Sequence, residues 1–117
     1  MDITIKRVYD EPTGKDGFRV LVDRLWPRGE SKEKAQIDFW DKDIAPSAEL
    51  RTWFNHDPNK WPEFQRLYRQ ELSANPEAVK KLVDAVKEQD KVTLVFGSKD
   101  AEHNQAVVLS EYLREKL

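Results

Sequence analysis

The chain has no cysteine, one methionine, two histidines and only four glycines among its 117 residues. Each shortage removes a class of function. Without cysteine there are no disulfides, no thiolate metal sites and no thiol nucleophile. With His56 and His103 alone, a zinc site would rest mainly on carboxylates, so neither a metal nor a cofactor is expected. The glycines form neither the P-loop pattern G-x-x-x-x-G-K-S/T nor G-x-G-x-x-G, and no G-x-S-x-G nucleophile elbow occurs. Long apolar runs are missing too. None nears the roughly 18 residues that cross a bilayer, and "MDITIKRVYDEP" lacks the apolar core of a signal peptide. A cytoplasmic protein with no membrane partner is the expectation.

An excess of positive charge is also absent. Lys and Arg number 20 against 22 Asp and Glu, a formal net charge of −2, although 36% of residues are charged. That balance argues against gripping nucleic acid through a global basic field, while leaving room for a local basic patch. What the chain does have is tryptophan. Trp26, Trp40, Trp53 and Trp61 sit beside polar residues and mark one aromatic-rich region.

At this length one domain over residues 1–117 is expected. "ITIKRVY" (3–9) alternates and is rich in β-branched residues, which predicts a half-buried strand. "FRVLVD" (18–23) predicts a second, with Phe18, Val20 and Val22 on one face. If the two pair directly, their short link makes them antiparallel; otherwise they sit apart in the sheet. One helical turn near Lys32 and a short strand around 37–40 follow, and Ser47 can cap a short helix through about Asn55. Asp57-Pro58 and Asn75-Pro76 each place a capping side chain before a proline suited to the first helical position. The stripes behind them, Trp61, Phe64, Tyr68, Leu72 and Val79, Leu82, Val83, Val86, are core. "VTLVF" (92–96) is a strand covered on both faces, and a last helix runs from about Ala101 to Lys116. The order predicts an α/β fold, a small sandwich whose partly parallel sheet is flanked by about four helices.

In open α/β sheets ligands bind at the carboxyl ends of strands. Two turns have that address. In "LVDRLWPRG" (21–29), Arg24 and Arg28 offer planar forks that suit carboxylate or phosphate, Trp26 offers a flat face, and Asp23 can orient an arginine or act as a base. The structural alternative is that Asp23 pairs with an arginine, Trp26 fills the core edge and Pro27–Gly29 only turns the chain. In "GSKDAEHN" (97–104), Asp100 suits an N-cap, leaving amides 101–103 open to an anion, with Lys99 as a mobile charge. His103 in the first turn would be held neutral by the helix dipole, and Asn104 brings a donor and an acceptor. Here too a structural reading is open, with Asp100 merely capping and Lys99 solvated. "NHDP" (55–58) reads as structure: no upstream histidine completes a metal site, and Asp57 is already a cap.

"RVLVDRLWPRG", "DKDIAPSAELRTWFNHDP" and "HNQAVVL" together resemble the YeaO-like branch of the DUF488 family, in order and over nearly the whole chain. The resemblance implies a small bacterial α/β protein and names no reaction. Family motifs match at Asp23, Arg24, Trp26, Pro27, Arg28 and Gly29, at Ala45, Pro46 and Ser47, and at Trp53, His56, Asp57 and Pro58. Lys99, Asp100, His103 and Asn104 stand at the C-terminal signal, where "GSKD" departs from an alanine-rich strand end. The expectation is therefore one cleft between turns 23–29 and 97–104, walled by Trp26 with Trp40 or Trp53. Arg24, Trp26, Arg28, Lys99 and Asp100 would bind a phosphate- or nucleotide-like anion. Asp23, His103 and Asn104 would carry proton transfer or orientation in a hydrolase or transferase. The competing class is a non-catalytic nucleic-acid- or protein-binding module, in which tryptophans stack on single strands.

Overall fold

A computed structural model describes all 117 residues. Four strands, β1 (Asp2–Arg7), β2 (Phe18–Leu21), β3 (Phe39–Trp40) and β4 (Lys91–Phe96), form one sheet in the order β1-β4-β2-β3. Every neighbouring pair is parallel, so the sheet is parallel throughout. Strands β1 and β2 do not pair. The last strand in the chain lies between them, with Leu94 opposite both Ile5 and Val20. The reason is apolarity: residues 92–96 are buried without a break, and a strand of that kind is satisfied only in the middle of a sheet with both faces covered.

Parallel pairing needs long crossovers. The longest, from β3 to β4, carries helices α2 (Ala48–Phe54), α3 (Trp61–Ser73) and α4 (Pro76–Val86), while α1 (Lys32–Ala35) precedes β3 and α5 (Gln105–Lys116) follows β4. Val20, Val22, Val92, Leu94 and Phe96 belong to the large core shared with α2 to α5. The alternate residues Leu21 and Val95 point the other way, into a small cluster with Val8 and Ala35 backed by Trp26 and Trp40. No helix is long and apolar enough to cross a membrane.

Three helix starts differ from the sequence expectation. Asp57 caps a 3-10 turn over Pro58–Lys60 by accepting from the Asn59 amide, and α3 begins only at Trp61. Asn75 makes no side-chain cap bond ahead of α4, where Pro76 stands at the first position and the Asn75 carbonyl accepts the Val79 amide. Helix α5 begins at Gln105, four residues after Ala101. Asn104, in an extended conformation, accepts from the amides of Ala106 and Val107, so it is the N-cap and Asp100 is not.

Candidate functional site

Because β2 and β4 are neighbours and parallel, the turns that leave their carboxyl ends must meet. Asp23 joins them. Its Oδ2 accepts from the Gly97 amide at 2.9 Å and its Oδ1 from Gln105 Nε2 at 2.5 Å. Around this contact opens a cleft of about 520 Å³, lined by both turns and by the end of α2. Burial of the Asp23 carboxyl raises its pKa from 3.8 to about 6, against the lowering effect of the Gly97 and Gln105 hydrogen bonds and the Arg51 charge. It is a carboxyl poised to change protonation near neutral pH.

Three guanidinium groups line the cleft: Arg24, Arg28 and Arg51. Arg24 reaches the carbonyls of Ala45 and Pro46 at 3.3 Å each, while its Nε is buried with no partner. Arg28 and Arg51 are exposed. None of the three takes part in a salt bridge, although Lys6, Arg19, Arg66, Arg69 and Lys80 all do elsewhere. Asp23 is the one acidic residue of the lining. The cleft therefore concentrates uncompensated positive charge in a protein that is acidic overall.

Arg51 was not among the residues singled out from sequence. Ser47 positions it: the Ser47 hydroxyl caps the Leu50 amide, while Glu71 on α3 accepts from both the Ser47 amide and its hydroxyl. Those bonds pin the short α2, whose last turn carries Arg51. Helix α2 then ends in two consecutive left-handed residues without a glycine, Asn55 at φ 45° and His56 at φ 54°. Asn and His tolerate that region better than most residues, but two in succession are uncommon, and both line the cleft. The sequence signal is Asn55-His56, within the "NHDP" that by itself reads as structure.

The remaining expected residues divide. Trp26 lines the cleft as its wall, with its indole N–H donating to the Glu30 carbonyl at 2.7 Å and its ring edge-on to Trp40 at 5.3 Å. Trp40 and Trp53 do not line it. Lys99 is exposed and stands outside the cleft, as does Asp100. The anion cradle expected at amides 101–103 does not form, because Asp100 Oδ1 accepts from the amides of Glu102 and His103. His103 lies ahead of the α5 cap rather than in the first helical turn, so the dipole argument for its neutrality lapses. It does reach the cleft, with Nδ1 2.9 Å from Asp100 Oδ2 and its ring edge-on to Trp61 at 5.3 Å. Hydrogen bonds from the Glu102 amide and then from the His103 ring hold the Asp100 carboxyl below its ordinary value. An ionised carboxylate only accepts, so Nδ1 carries a proton and Nε2 is the nitrogen free to act. Asn104 is buried and committed to its own turn, with Oδ1 on two helix amides and Nδ2 on the Asp100 carbonyl.

The comparisons with known proteins agree with the sequence resemblance. The chain is 43% identical over 114 residues to the uncharacterized protein YeaO of Escherichia coli K12, covering 97% of this chain and 98% of that protein. It is 38% identical over 113 residues to the uncharacterized proteins Mb3100c of Mycobacterium bovis and Rv3073c of Mycobacterium tuberculosis, covering 95% of this chain and 92% of each of them. No solved structure matches. With residues 2–117 matching DUF488-N3i, described as the inactive DUF488-N3 subclade, the chain belongs to that family.

Proposed function

We propose that the cleft at the ends of β2 and β4 binds a small anionic ligand of the phosphate or nucleotide type, and that recognition rather than turnover is its role. The observation that carries this reading is the set of three arginines without a carboxylate partner around one half-buried acid. Guanidinium groups bind phosphate through paired N–H donors, and three of them gathered in one concave site without a salt-bridge partner create a local positive potential that favours an anion there. The family's description as inactive supports recognition without turnover. So does the commitment of Asn104 to capping, which removes one of the three groups expected to serve chemistry.

One observation favours a second reading, hydrolysis or transfer. Asp23 titrates near neutrality inside the cleft, and the Asp100–His103 pair presents a free ring nitrogen on the same cleft. Calorimetric titration with inorganic phosphate, mononucleotides and a short single-stranded oligonucleotide separates these readings, with each mononucleotide also assayed for products. The expected result is saturable binding of small phosphates, weakened at least about tenfold by Arg51→Ala with only a small drop in melting temperature, because Arg51 is exposed and acts on the fold only through its charge near Asp23. Product formation that vanishes in Asp23→Asn would establish the catalytic reading instead. Binding of the oligonucleotide alone would favour a nucleic-acid module, and silence for all three ligands would refute the anion cleft.

A further inference from the structure

Three large apolar side chains away from the termini are exposed: Tyr9, Leu25 and Trp53. Trp53 is accounted for locally, since Lys60 sits over its ring and donates to its carbonyl. Tyr9 and Leu25 lie instead on the lining of the guanidinium cleft. On a surface as rich in charge as this one, gathering exposed apolar area at the charged cleft points to a ligand with an apolar part as well as a charged one.

Tyr9 is also held in place. Its hydroxyl donates to the Arg28 carbonyl at 2.9 Å, tying the residue after β1 to the turn that follows β2. The Arg7 guanidinium lies 5.4 Å from its ring centroid, and Arg7 Nε is itself anchored on the Ser98 carbonyl at 3.0 Å. Arg7 itself is not part of the cleft lining. A half-exposed tyrosine would ordinarily sample several rotamers; this one has its hydroxyl fixed and a cation against its ring. That is the construction of a preorganised aromatic platform.

We infer that the cleft takes a free nucleoside phosphate, with the Tyr9 ring stacking on the base and Arg28 and Arg51 holding the phosphate. The inference rests on the anion-binding reading and narrows it from phosphate in general to a ligand carrying a planar aromatic group. Leu25 covers the edge of the base. A free nucleotide suits the geometry better than a strand, because the three arginines gather in one cleft and do not continue as a groove.

The test compares four ligands by calorimetry on the full chain: inorganic phosphate, ribose 5-phosphate, a purine nucleoside 5′-monophosphate and a short single-stranded oligonucleotide. The expected result is that the nucleotide binds at least about tenfold more tightly than ribose 5-phosphate, as one stacked base supplies. Tyr9→Leu and Tyr9→Ala should bring that ratio close to one, and because the ratio is taken within each variant it is insensitive to any change in phosphate affinity from loss of the Tyr9–Arg28 bond. Tyr9→Phe keeps the ring and should keep most of the ratio. Equal affinity for nucleotide and ribose phosphate in the unmodified protein overturns the platform but leaves the anion cleft intact, as does a ratio that survives in both Tyr9→Leu and Tyr9→Ala. Oligonucleotide binding far tighter than nucleotide binding overturns the free-ligand assignment. Absence of binding by every phosphate compound overturns both the platform and the reading beneath it.

Discussion

Asp23 carries two hydrogen bonds across the junction of the two turns and still has a raised pKa, because burial outweighs both bonds and the Arg51 charge. The consequence for stability has a definite sign. A carboxyl lifted from 3.8 to about 6 on folding binds its proton more tightly in the native state. Its stabilising effect is therefore present at low pH and lost as pH rises from about 4 through about 6. The lift corresponds to about 3 kcal/mol against the charged form at neutral pH, trimmed by partial exposure. Asp23→Asn can keep a carbonyl on the Gly97 amide, and its NH2 can donate to Gln105 once that side-chain amide flips to present Oε1. Denaturant unfolding of that variant is expected to show a gain of about 1–2 kcal/mol at pH 7.5 and little change at pH 4. The same carboxyl should govern ligand affinity: an anion prefers the neutral form, so binding of sulfate, whose own charge is constant over this range, weakens as pH rises through about 6, and Asp23→Asn flattens that profile. A flat profile in the unmodified protein would mean that Asp23 does not face the ligand.

The turn between β4 and α5 owes its shape to two caps in series. Asp100 gathers the amides of Glu102 and His103, and Asn104 then gathers those of Ala106 and Val107 while its own amide group holds the Asp100 carbonyl. Removing the second cap should loosen the first. Asn104→Ala is expected to lose about 1–2 kcal/mol, the ordinary worth of an N-cap, and hydrogen exchange should accelerate at residues 102–107 before anywhere else. At the other end of the cleft junction, a Cβ on Gly97 would meet Asp23 Oδ2 at 2.8 Å. Gly97→Ala must displace that carboxylate, and the expected readout is weaker phosphate binding together with a lower melting temperature. Unaltered binding in this variant would show that the Asp23–Gly97 contact does not shape the site.

Charge across the molecule decides between a small ligand and a polymer. The net charge is −2, and the three unpaired arginines converge on one cleft rather than along a face. A ligand held by two or three guanidinium groups should lose less than about tenfold in affinity between 50 and 200 mM salt, whereas a groove making 6–10 phosphate contacts loses roughly 10³–10⁵-fold. Isotherms at the two salt concentrations check this, and a steep dependence would return the protein to the nucleic-acid class. The sheet sets a separate constraint far from the cleft. Gly17, at φ 67°, precedes β2 with its Cα against the Lys91 carbonyl and side chain, so even one methyl group would collide with backbone that starts β4. Gly17→Ala is expected to cost several kcal/mol, read as a loss of folded protein at 37 °C, because it pushes apart the two central strands.

Whatever depends on neighbours along the chain was legible before folding was considered. The apolar run 92–96 implied a strand covered on both faces, Ser47 announced α2, and the stripes behind Pro58 and Pro76 marked the helices that line the large core. "LVDRLWPRG" and "GSKDAEHN" were recognisable as strand-end turns because glycine, proline and capping side chains act within a few residues. Competition between caps was harder to read, since Asp100 and Asn104 both suit the position and packing chose the latter. Convergence of the two turns was an expectation carried by the family resemblance; the contacts that make it were not legible. The Asp23–Gly97 and Asp23–Gln105 bonds span 74 and 82 residues, and they exist because β4 inserts between β1 and β2. The same insertion brings Tyr9 to Arg28, and Glu71 on α3 pins the helix that delivers Arg51. Local backbone preference chose the elements and their turns; only the pairing of distant strands, driven by burial of the most apolar one, decided which side chains share the cleft.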